Sequence, residues 1–491
     1  MKRSAPIVID WKPDKSRAVP VYRQIVQFVC DKVARGDWPV GTRLPPQRAL
    51  AALFGVNRST VTAAIDELVS YGIVAGNRSA GAQIVSDSWS LLLPSAPDWS
   101  KMISSGFFRE NDRTIQEINR LEFVPDMIRL GTGELDPRLF PAEMWQSILQ
   151  KLSGEVSSLG YLEPLGLPTL RQAIAAHMET LGIHTSPSCI LVTSGALQGL
   201  QLISASLLPS GSTVFTEAPT YLKSLRVFQS AGMKLSGLPM DGDGLSLCAL
   251  SAALDAKSSH HPAILYTIPT NQNPTGLTMP AERRGALMAL CAEKRLPVIE
   301  DGAYHELCYN AEAPLPLKAL DQSGSVLYLG SASKTLAPGL RIGWVIAPEP
   351  IVQRLGDIKM QTDYGASSIS QWIFAEFLTS GLYRRYLDEL RGELRRRRDG
   401  ALAALEQHFS DLAIWNEPTG GFYIWLTFKV GIPIDHLFER AVRKHILLNP
   451  GDIYDFTRSR SLRLSFSYTT SSEFETAIDQ LAQMLRSDNT V

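Results

Sequence analysis

Short apolar runs alternate with helical patterns through the middle of the chain, and this alternation constrains the fold more than any other feature. Six runs of four to six residues are rich in the β-branched and aromatic residues that favour strands. They lie at 190–193, 213–216, 263–268, 298–301, 326–330 and 344–347. Strands that alternate with helices build a mainly parallel sheet covered by helices, so we expect an α/β domain. Side chains with a chemical role should follow the carboxyl ends of these strands.

Length and composition fit a large protein of several domains. The 491 residues suffice for about three domains, and 45% hydrophobic content argues against disorder. The five cysteines form no Cys-x-x-Cys pair, which is typical of free thiols in a reducing compartment, so we predict a cytoplasmic protein. No apolar run suits a signal peptide or a membrane span, so we expect no membrane partner. His260 and His261 lack partners at metal spacing, and we predict no metal site.

Charge is distributed unevenly along the chain. Residues 1–85 carry 12 Lys and Arg against 6 Asp and Glu, whereas the remaining residues carry 36 against 43. The net charge of −1 for the whole chain hides this difference. A basic head on an acidic body predicts that the head binds a polyanion.

The basic head has the pattern of a winged helix-turn-helix. An amphipathic helix is predicted over 21–35, a second helix ends at Gly55, and a third begins after Asn57, which can cap it. We expect apolar residues at helical spacing to form the buried face of the third helix: Val61, Ile65, Leu68 and Val69. The stretch 73–85 has the β-forming residues of a hairpin wing.

Short polar side chains and one arginine occupy the first turn of the third helix. Such groups at a helix N-terminus can contact phosphates and base edges in the major groove of DNA. The predicted DNA contacts are Arg58, Ser59, Thr60 and Thr62 on this helix, with Arg78 in the wing. The alternative is a small helical cap whose charges are only solvated.

A segment without sustained periodicity separates the head from the body. Residues 86–120 contain several serines and prolines and a charged stretch, and we predict a linker with a short helix that lets the head move. The predicted domains are therefore a DNA-binding head (1–85), a linker (86–120) and the α/β body (121–491). The four arginines at 395–398 follow Glu389 and Glu393, and we interpret them as a solvated helix face with i,i+4 ion pairs.

Ionisable and polar residues follow three of the predicted strands. Lys334 comes shortly after the run 326–330, Asp301 ends the run 298–301, and Asn273 follows the run 263–268. Pyridoxal 5′-phosphate (PLP) requires such a set: an amine to bond it, an acid for its pyridine nitrogen, and donors for its ring oxygen and phosphate. We therefore predict PLP as the cofactor, with Lys334 as the catalytic residue that carries it.

The other residues of the set have expected contacts with this cofactor. Asp301 would keep the ring nitrogen protonated, while Asn273 and Tyr304 would hydrogen-bond the ring oxygen. Tyr221 can stack on the ring face. Hydroxyls, an arginine and two backbone amides would bind the phosphate: Ser331, Ser333, Arg341, Ala196 and Leu197.

The motifs of the head carry a first resemblance. These motifs are Pro20-Val-Tyr22, Gly36, Gly41, Leu44-Pro45, Arg48, the run Gly55-Val56-Asn57-Arg58, and Leu68 through Gly72. Over about 80 residues they resemble the GntR family of bacterial winged-helix regulators. The resemblance implies that Arg48, Arg58, Thr60 and Thr62 contact DNA. Pro46 departs from the family pattern, in which a phosphate-contacting serine is common, and Ala80 and Ala82 dilute the usual wing tip.

The body resembles the fold-type I, class I/II aminotransferases over about 121–491. Tyr161, which precedes Gly166-Leu-Pro168, is similar to a tyrosine that reaches the PLP phosphate of the partner subunit. Arg463 resembles the arginine that holds the α-carboxylate of a substrate, and Gly133 resembles a small residue near the substrate. Together with Asn273, these two are the expected substrate or effector contacts. The resemblance also implies a smaller C-terminal subdomain, and Leu197 departs from it where a polar residue is common.

A GntR-type head before an aminotransferase-like body resembles the MocR subgroup of bacterial regulators. The resemblance implies a head-to-tail homodimer whose body senses an effector. We expect a PLP-dependent transcription regulator that binds a double-stranded operator with two half-sites and responds to PLP, an amino acid or an amine. One alternative is an active aminotransferase, acting on an amino acid and a 2-oxo acid, with an appended DNA-binding head. Another is a regulator that responds to PLP alone.

Overall fold

The protein has two compact units in a computed structural model that describes residues 9–76, 82–86, 113–257, 261–309 and 313–488. The units are Met1–Arg109 and Glu110–Val491. Within the described ranges, no helix combines the length and the apolar character that crossing a membrane requires.

The first unit consists of three helices and a small antiparallel hairpin. They are α1 (Val21–Ala34), α2 (Gln47–Phe54), α3 (Arg58–Ser70), β1 (Val74–Ala75) and β2 (Gln83–Ile84). Gly55 ends α2 in the left-handed conformation, with φ of 67°, which lets the chain turn into α3. Ile25, Leu50 and Val61 each come from a different helix and meet in one core. The predicted winged helix-turn-helix is confirmed.

Two details of the head differ from the sequence prediction. Val69 is 44% exposed, because the buried face of α3 runs through Val61, Ala64, Ile65 and Leu68. At about 100° per residue, position 69 turns away from that face. Asn57 stands at the N-cap position, but its side chain makes no capping hydrogen bond. Arg78 lies outside the described residues.

The second unit is built from helices on both sides of a large sheet and from a smaller sheet. Its helices are α4 (Arg113–Leu121), α5 (Ala142–Glu155), α6 (Pro168–Glu179), α7 (Ala196–Ser206), α8 (Leu222–Ser230), α9 (Leu247–Ala256), α10 (Ala281–Lys294), α11 (Leu317–Leu320), α12 (Glu349–Thr362), α13 (Ser368–Thr379), α14 (Leu382–Phe409), α15 (Ile434–Arg443) and α16 (Ser471–Asp488). Its strands are β3 (Ile128–Arg129), β4 (Ile190–Thr193), β5 (Thr213–Ala218), β6 (Lys234–Asp241), β7 (Gly244–Leu245), β8 (Ala263–Thr267), β9 (Val298–Asp301), β10 (Val326–Ser331), β11 (Gly343–Ile346), β12 (Ala413–Trp415), β13 (Tyr423–Phe428), β14 (Ile446–Leu447), β15 (Asn449–Pro450) and β16 (Ser461–Ser465).

The large sheet has eight strands in the order β4-β11-β10-β9-β8-β5-β6-β7. Neighbouring strands from β10 to β6 pair in parallel, whereas β11 and β7 are antiparallel to their neighbours. All six strands expected from the sequence are present, and the mainly parallel sheet is confirmed. Register aligns Asp301 at the end of β9 with Leu329 of β10, just before the turn that carries Lys334. The carboxyl ends of β8, β9 and β10 therefore meet at one edge.

A smaller antiparallel sheet, β12-β13-β16-β15, forms a second core with α14, α15 and α16. This is the expected C-terminal subdomain. Helix α4 also packs into its core through Ile115, Ile118 and Leu121. The last residues of the segment that we interpreted as a linker are therefore helical and half buried, while 87–112 lie outside the described residues.

The interpretation of 395–398 as a solvated face is wrong for one arginine. The side chain of Arg397 is only 5% exposed, and its Nη2 donates to Asp136 Oδ2 at 2.8 Å. Its Nη1 donates to two backbone carbonyls. Arg396 remains exposed and pairs with Glu393 at 2.7 Å. Four consecutive helical residues span about 300° of the helix surface, so one of them faces the packed side.

Candidate functional site

A cavity of about 200 Å³ lies at the edge of the large sheet where β8, β9 and β10 end. Six of the residues singled out in the sequence line this cavity: Gly133, Tyr221, Asn273, Tyr304, Lys334 and Arg463. They come from positions as far apart as 133 and 463, so the fold, rather than local sequence, brings them together. The cavity is polar and is enclosed by groups from both cores of the second unit.

Lys334 lies in the turn that follows β10. Its Nζ donates a hydrogen bond of 2.6 Å to the carbonyl oxygen of Gly133. Gly133 has no room for a side chain, because an added Cβ would come within 2.5 Å of Tyr423 Oη. The close approach of the chain to the Tyr423 hydroxyl at this point thus depends on glycine.

Asp301 ends β9 beneath the cavity and is held by two donors. Its Oδ2 accepts from Tyr266 Oη at 2.6 Å, and its Oδ1 accepts from the backbone N–H of Ala303 at 3.1 Å. Burial raises the pKa of Asp301, although both hydrogen bonds and the nearby charge of Lys334 act in the opposite direction. The carboxyl is thus surrounded by groups that favour its charged form against the cost of burial.

Asn273 and Tyr304 each contact a second residue of the cavity. Asn273 Oδ1 accepts from Arg463 Nη1 at 2.9 Å, and the hydroxyls of Tyr304 and Tyr423 are 2.7 Å apart. Arg463 also donates through Nη2 to the carbonyl of Gly131 at 2.5 Å. These contacts fix the amide and the guanidinium side by side, both facing the same space.

Tyr221 forms another wall of the cavity. It precedes helix α8 and is half buried, with its ring packed against both cores of the unit. Burial raises the pKa of Tyr221 to about 12, so its hydroxyl stays protonated at neutral pH. Tyr221 therefore contributes a neutral aromatic side chain to the lining of the cavity.

The predicted phosphate-binding residues form a cluster beside the cavity rather than on its lining. Gly195 has φ of 95° and precedes helix α7, whose first turn has no side-chain cap. Arg341 Nη2 donates to the carbonyl of Ser194 at 2.8 Å, and an added Cβ on Gly195 would come 2.7 Å from that Nη2 atom. The uncapped amides of Ala196 and Leu197 thus lie at the same loop as a guanidinium.

Ser331 and Ser333 belong to this cluster through the pairing of β10 with β11. Ser331 pairs with Gly343, and a Cβ added to Gly343 would approach the backbone N of Ala196 to 2.7 Å. Ser331 Oγ accepts from the N–H of Ser333 at 3.1 Å. A helix N-terminus, two hydroxyls and an arginine form a donor set suited to a phosphate dianion, so the residues present fit the phosphate of PLP.

Tyr161 is not among the residues that line the cavity. It is 90% exposed, and its ring centroid is 5.3 Å from that of Tyr364.

Several residues that the sequence reasoning missed also belong to the site. Tyr266 binds Asp301, and the cavity is further lined by Asn119, Glu122, Lys223, Tyr423, Asn449 and Tyr454. Burial, with the nearby charge of Arg463, lowers the pKa of Lys223 to about 8. Lys223 stands two positions after Tyr221. This proximity to a recognised motif is the sequence feature that could have identified Lys223 as a residue of the site. Asn119 comes from the segment that we interpreted as a linker, whereas Glu122 follows it within the predicted body.

The residues predicted to bind DNA lie on α2 and α3 of the first unit. Arg48, Arg58 and Ser59 are exposed, and Thr60 is half buried at the start of α3. Thr62 donates to the carbonyl of Arg58 at 3.0 Å and lies 3.1 Å from Gln47 Oε1, so its hydroxyl also ties α3 to α2. In the described part of the head, Arg48 of α2 and Arg58 at the start of α3 are thus both exposed.

Two family descriptions match separate parts of the chain. Residues 21–84 match the bacterial regulatory proteins of the gntR family, and residues 125–481 match aminotransferase class I and II. The second match covers well over half of the chain. An aminotransferase fold of this class implies PLP as the cofactor.

Curated relatives share both parts. The chain is 48% identical to the uncharacterized HTH-type transcriptional regulator YisV of Bacillus subtilis, over 97% of this chain and 98% of that protein. It is 30% identical to the HTH-type transcriptional regulator NorG of Staphylococcus aureus, over 89% of this chain and 98% of NorG. The similarity therefore extends from the head through the body.

Solved structures resemble the body. One is a kynurenine aminotransferase of Pyrococcus horikoshii, in complex with PMP and with kynurenine as substrate. It matches with a TM-score of 0.73 and 31% identity, covering 78% of this chain and 96% of that one. This likeness agrees with the fold-type I architecture described above.

Proposed function

The chain belongs to the HTH-type transcriptional regulators that join a gntR-family head to an aminotransferase class I and II body, and from this premise we propose that the body controls the head by sensing PLP, an amino compound, or both. One observation carries the proposal: Lys334 shares a cavity with Asn273, Tyr304 and Arg463 in a chain that also carries a winged helix. The head binds DNA, and we propose that it does so in the cytoplasm.

The donor groups around Lys334 support binding of PLP. Asp301 would hold the ring nitrogen, Tyr221 would stack on the ring, and Asn273 with Tyr304 would bind the ring oxygen. The phosphate would be held by Ser331, Ser333, Arg341 and the backbone N–H groups of Ala196 and Leu197. When bound, PLP supplies an aldehyde that bonds primary amines and a ring that withdraws electrons from them.

Charges around the rest of the cavity favour an amino acid or amine as the effector. Arg463 is 3% exposed and can bind a carboxylate bidentately, with Asn273 and Gly133 beside it. Lys223 adds one positive group at the same cavity, and Glu122 and Glu134 add two negative groups. A zwitterionic or amino compound would satisfy these groups better than a neutral one.

The head is proposed to bind an operator through α3. Arg48, Arg58, Ser59, Thr60 and Thr62 are the proposed contacts, together with Arg78. A homodimer would bring two heads to two half-sites, and a head-to-tail arrangement is the one that the family resemblance implies. The exposure of Tyr161 supports a role for this tyrosine at the site of the partner subunit. An effector would act by favouring one arrangement of the heads over another.

The test of this function is to identify the DNA that the full-length chain selects from genomic fragments, with and without PLP. We expect protection of two half-sites, and we expect PLP to attach to Lys334 so that borohydride reduction labels the peptide containing it. Lys334→Ala should lose the label but keep a folded head. Labelling of a different lysine, or the absence of sequence-specific DNA binding, would contradict the proposal.

Catalytic transamination is a second candidate, favoured by the presence of Asn273 and Arg463 beside Lys334 in one cavity. In that case Lys334 would also move the proton between the two carbon atoms that exchange the amino group. Multiple-turnover formation of a new amino acid from a 2-oxo acid, unchanged after removal of residues 1–85, would support this function. A regulator that senses PLP alone would instead show no spectral or DNA response to amino compounds.

A further inference from the structure

We infer that Tyr266 is a positioning residue for the cofactor, whose hydroxyl keeps Asp301 oriented and negatively charged opposite the ring nitrogen of PLP. The inference rests on the proposed binding of PLP and adds a residue that no motif in the sequence indicated. It concerns the chain's own buried pair, Tyr266 and Asp301, and can be tested without any transamination.

The geometry of the pair supports this role. Tyr266 lies on β8 and Asp301 at the end of the adjacent parallel strand β9, where Tyr266 pairs with Ile299 in the register. Tyr266 is fully buried, and its Oη lies 2.6 Å from Asp301 Oδ2. This length is typical of a hydroxyl that donates to a charged carboxylate. The hydroxyl therefore lies where it can hold the carboxylate plane.

The second donor to Asp301 makes the arrangement specific. The backbone N–H of Ala303 donates to Oδ1, while Tyr266 donates to Oδ2. Each oxygen has one donor from the protein, and a carboxylate oxygen can accept a further hydrogen bond. An N–H donor on the cofactor ring could therefore bind without displacing either protein group.

The charges that face Asp301 explain why a second donor matters. Lys334 favours the charged carboxylate, whereas burial opposes it, and the charge of Asp301 in turn raises the pKa of Glu217 on β5. Tyr221 and Tyr328 also lie close enough to interact with Asp301, and burial keeps both hydroxyls protonated and neutral near pH 7. With Lys334 engaged by the cofactor, the hydrogen bonds from Tyr266 and Ala303 remain as direct stabilisers of the negative charge.

Removing the Tyr266 hydroxyl should therefore weaken the ion pair between Asp301 and the ring nitrogen. In Tyr266→Phe the carboxylate keeps one donor instead of two, so its proton affinity rises. The proton between the carboxylate and the ring nitrogen should then lie more on Asp301, so a larger fraction of the ring nitrogen is neutral than in the wild type. The aromatic ring that packs in the core is retained, so the fold should tolerate the change.

The experiment compares full-length wild type, Tyr266→Phe and the control Tyr328→Phe. Tyr328 is a buried tyrosine on the next strand, β10, and its hydroxyl makes no hydrogen bond to Asp301 in the described structure. Each protein is loaded with PLP carrying ¹⁵N in the ring, and the nitrogen chemical shift is measured against pH. The dissociation constants of PLP and of its analogue with carbon in place of the ring nitrogen are measured in parallel.

We expect the ring nitrogen of Tyr266→Phe to shift towards the neutral form at a pH where the wild type is still protonated. The dissociation constant of PLP should rise about ten-fold, as expected for one hydrogen bond to a charged group. The carbon analogue should bind wild type and Tyr266→Phe with similar affinity, because it has no ring nitrogen to protonate. Tyr328→Phe should resemble the wild type in all of these measurements.

Equal nitrogen shifts in wild type and Tyr266→Phe would overturn the inference, and so would equal effects of the two tyrosine substitutions. Equal weakening for PLP and its carbon analogue would also overturn it, because the hydroxyl would then act only on packing. Thermal unfolding of the cofactor-free proteins shows whether Tyr266→Phe has merely lost its fold. A wild type that binds no PLP at Lys334 would instead overturn the proposed function, and with it this inference.

Discussion

Arg463 is the residue whose surroundings say most about what the cavity binds. Its guanidinium lies 4.2 Å from the centre of the Tyr423 ring and 4.6 Å from that of Tyr454. Its partners in the described structure are neutral, namely Asn273 and the carbonyl of Gly131, and its Nε is buried without a partner. This buried cation makes no ion pair with the residues that the structure describes, and a carboxylate of the ligand would supply one.

Arg463→Ala should therefore retain PLP but lose the spectral response to amino acids. The loss of a buried bidentate contact should reduce amino-acid affinity by about 2–5 kcal/mol. Absorbance titration with a panel of amino acids measures this loss, with Arg463→Lys as the control that keeps the charge but not the bidentate geometry. An amino-acid response in Arg463→Ala equal to that of the wild type would show that the carboxylate binds elsewhere.

Glu217 leads to a prediction about pH. It is 1% exposed on β5 and accepts hydrogen bonds from Thr267, from the N–H of Ile268 at 3.1 Å and from Gln272 at 3.3 Å. Burial raises its pKa from 4.5 to about 7. Between these values the folded protein holds a proton that the unfolded chain has released, so stability should fall as pH rises through this window.

Glu217→Gln should remove this part of the pH dependence, because the amide does not titrate. The difference in unfolding free energy between about pH 5 and pH 7 should shrink by roughly 2–3 kcal/mol. Urea unfolding of the full chain at both pH values measures it, and the exposed Glu475→Gln serves as a control that should keep the wild-type slope. An identical slope in wild type and Glu217→Gln would contradict the assignment.

At the residue scale, the sequence predicted the side chains that directly follow strands and missed those that meet only through the fold. Lys334, Asn273 and Tyr304 stand next to recognisable turns, and all three line the cavity. Tyr266 lies inside a strand and looked like an ordinary core residue until β9 brought Asp301 beside it. Asn119 was assigned to a linker, because a short helix that packs on a distant subdomain has no local signal of that packing.

The positions of helices and strands were easier to predict than the burial of their individual residues. The six strands of the sheet core are apolar runs that bury both faces, and the structure has all six. Strand β6 (Lys234–Asp241) was missed because much of it is exposed or half buried and it includes a proline. The predicted buried face of α3 included one residue too many, Val69. The arginines at 395–398 were all predicted to be exposed, although successive residues of a helix point in different directions.

Helix α14 allows a matched test of buried and exposed arginines. Arg397→Ala leaves Asp136 with Arg138 as its remaining arginine partner and removes the donor to two carbonyls, so we expect a loss of about 3 kcal/mol in unfolding free energy. Arg396→Ala removes an exposed ion pair with Glu393 and should cost less than about 1 kcal/mol. Urea unfolding of the two variants measures both losses of unfolding free energy. Similar losses would argue against a stabilising role for the buried contacts of Arg397.

Helix α3 is the element that we expect to read DNA. Arg58→Ala should weaken operator binding by about 1–3 kcal/mol and relax base preference at one position of each half-site if the side chain reads a base. If Arg58 meets only phosphate, binding should weaken on all sequences alike, with a shallower dependence on salt. Titrations of operator and unrelated DNA at several salt concentrations separate these cases. Unchanged binding on both kinds of DNA would remove Arg58 from the interface.

On the scale of the whole molecule, two compact units with different chemistry lie in one chain. The head presents basic residues at the start of α3, and the body encloses a cavity lined by lysine, arginine and tyrosine side chains. Relatives share this order of domains over nearly their full length. Such an arrangement regulates transcription only if the ligand has different affinities for two arrangements of the heads. The coupling between the two sites is therefore the central claim.

The most direct test of that claim is the affinity of the full-length protein for its operator, measured with and without PLP and an amino compound. The wild type should change its affinity by at least about five-fold, in the range usual for coupled sites. Lys334→Ala should bind the operator with one affinity under all of these conditions. A wild type whose DNA affinity ignores both ligands, or a Lys334→Ala protein that responds as the wild type does, would contradict the account.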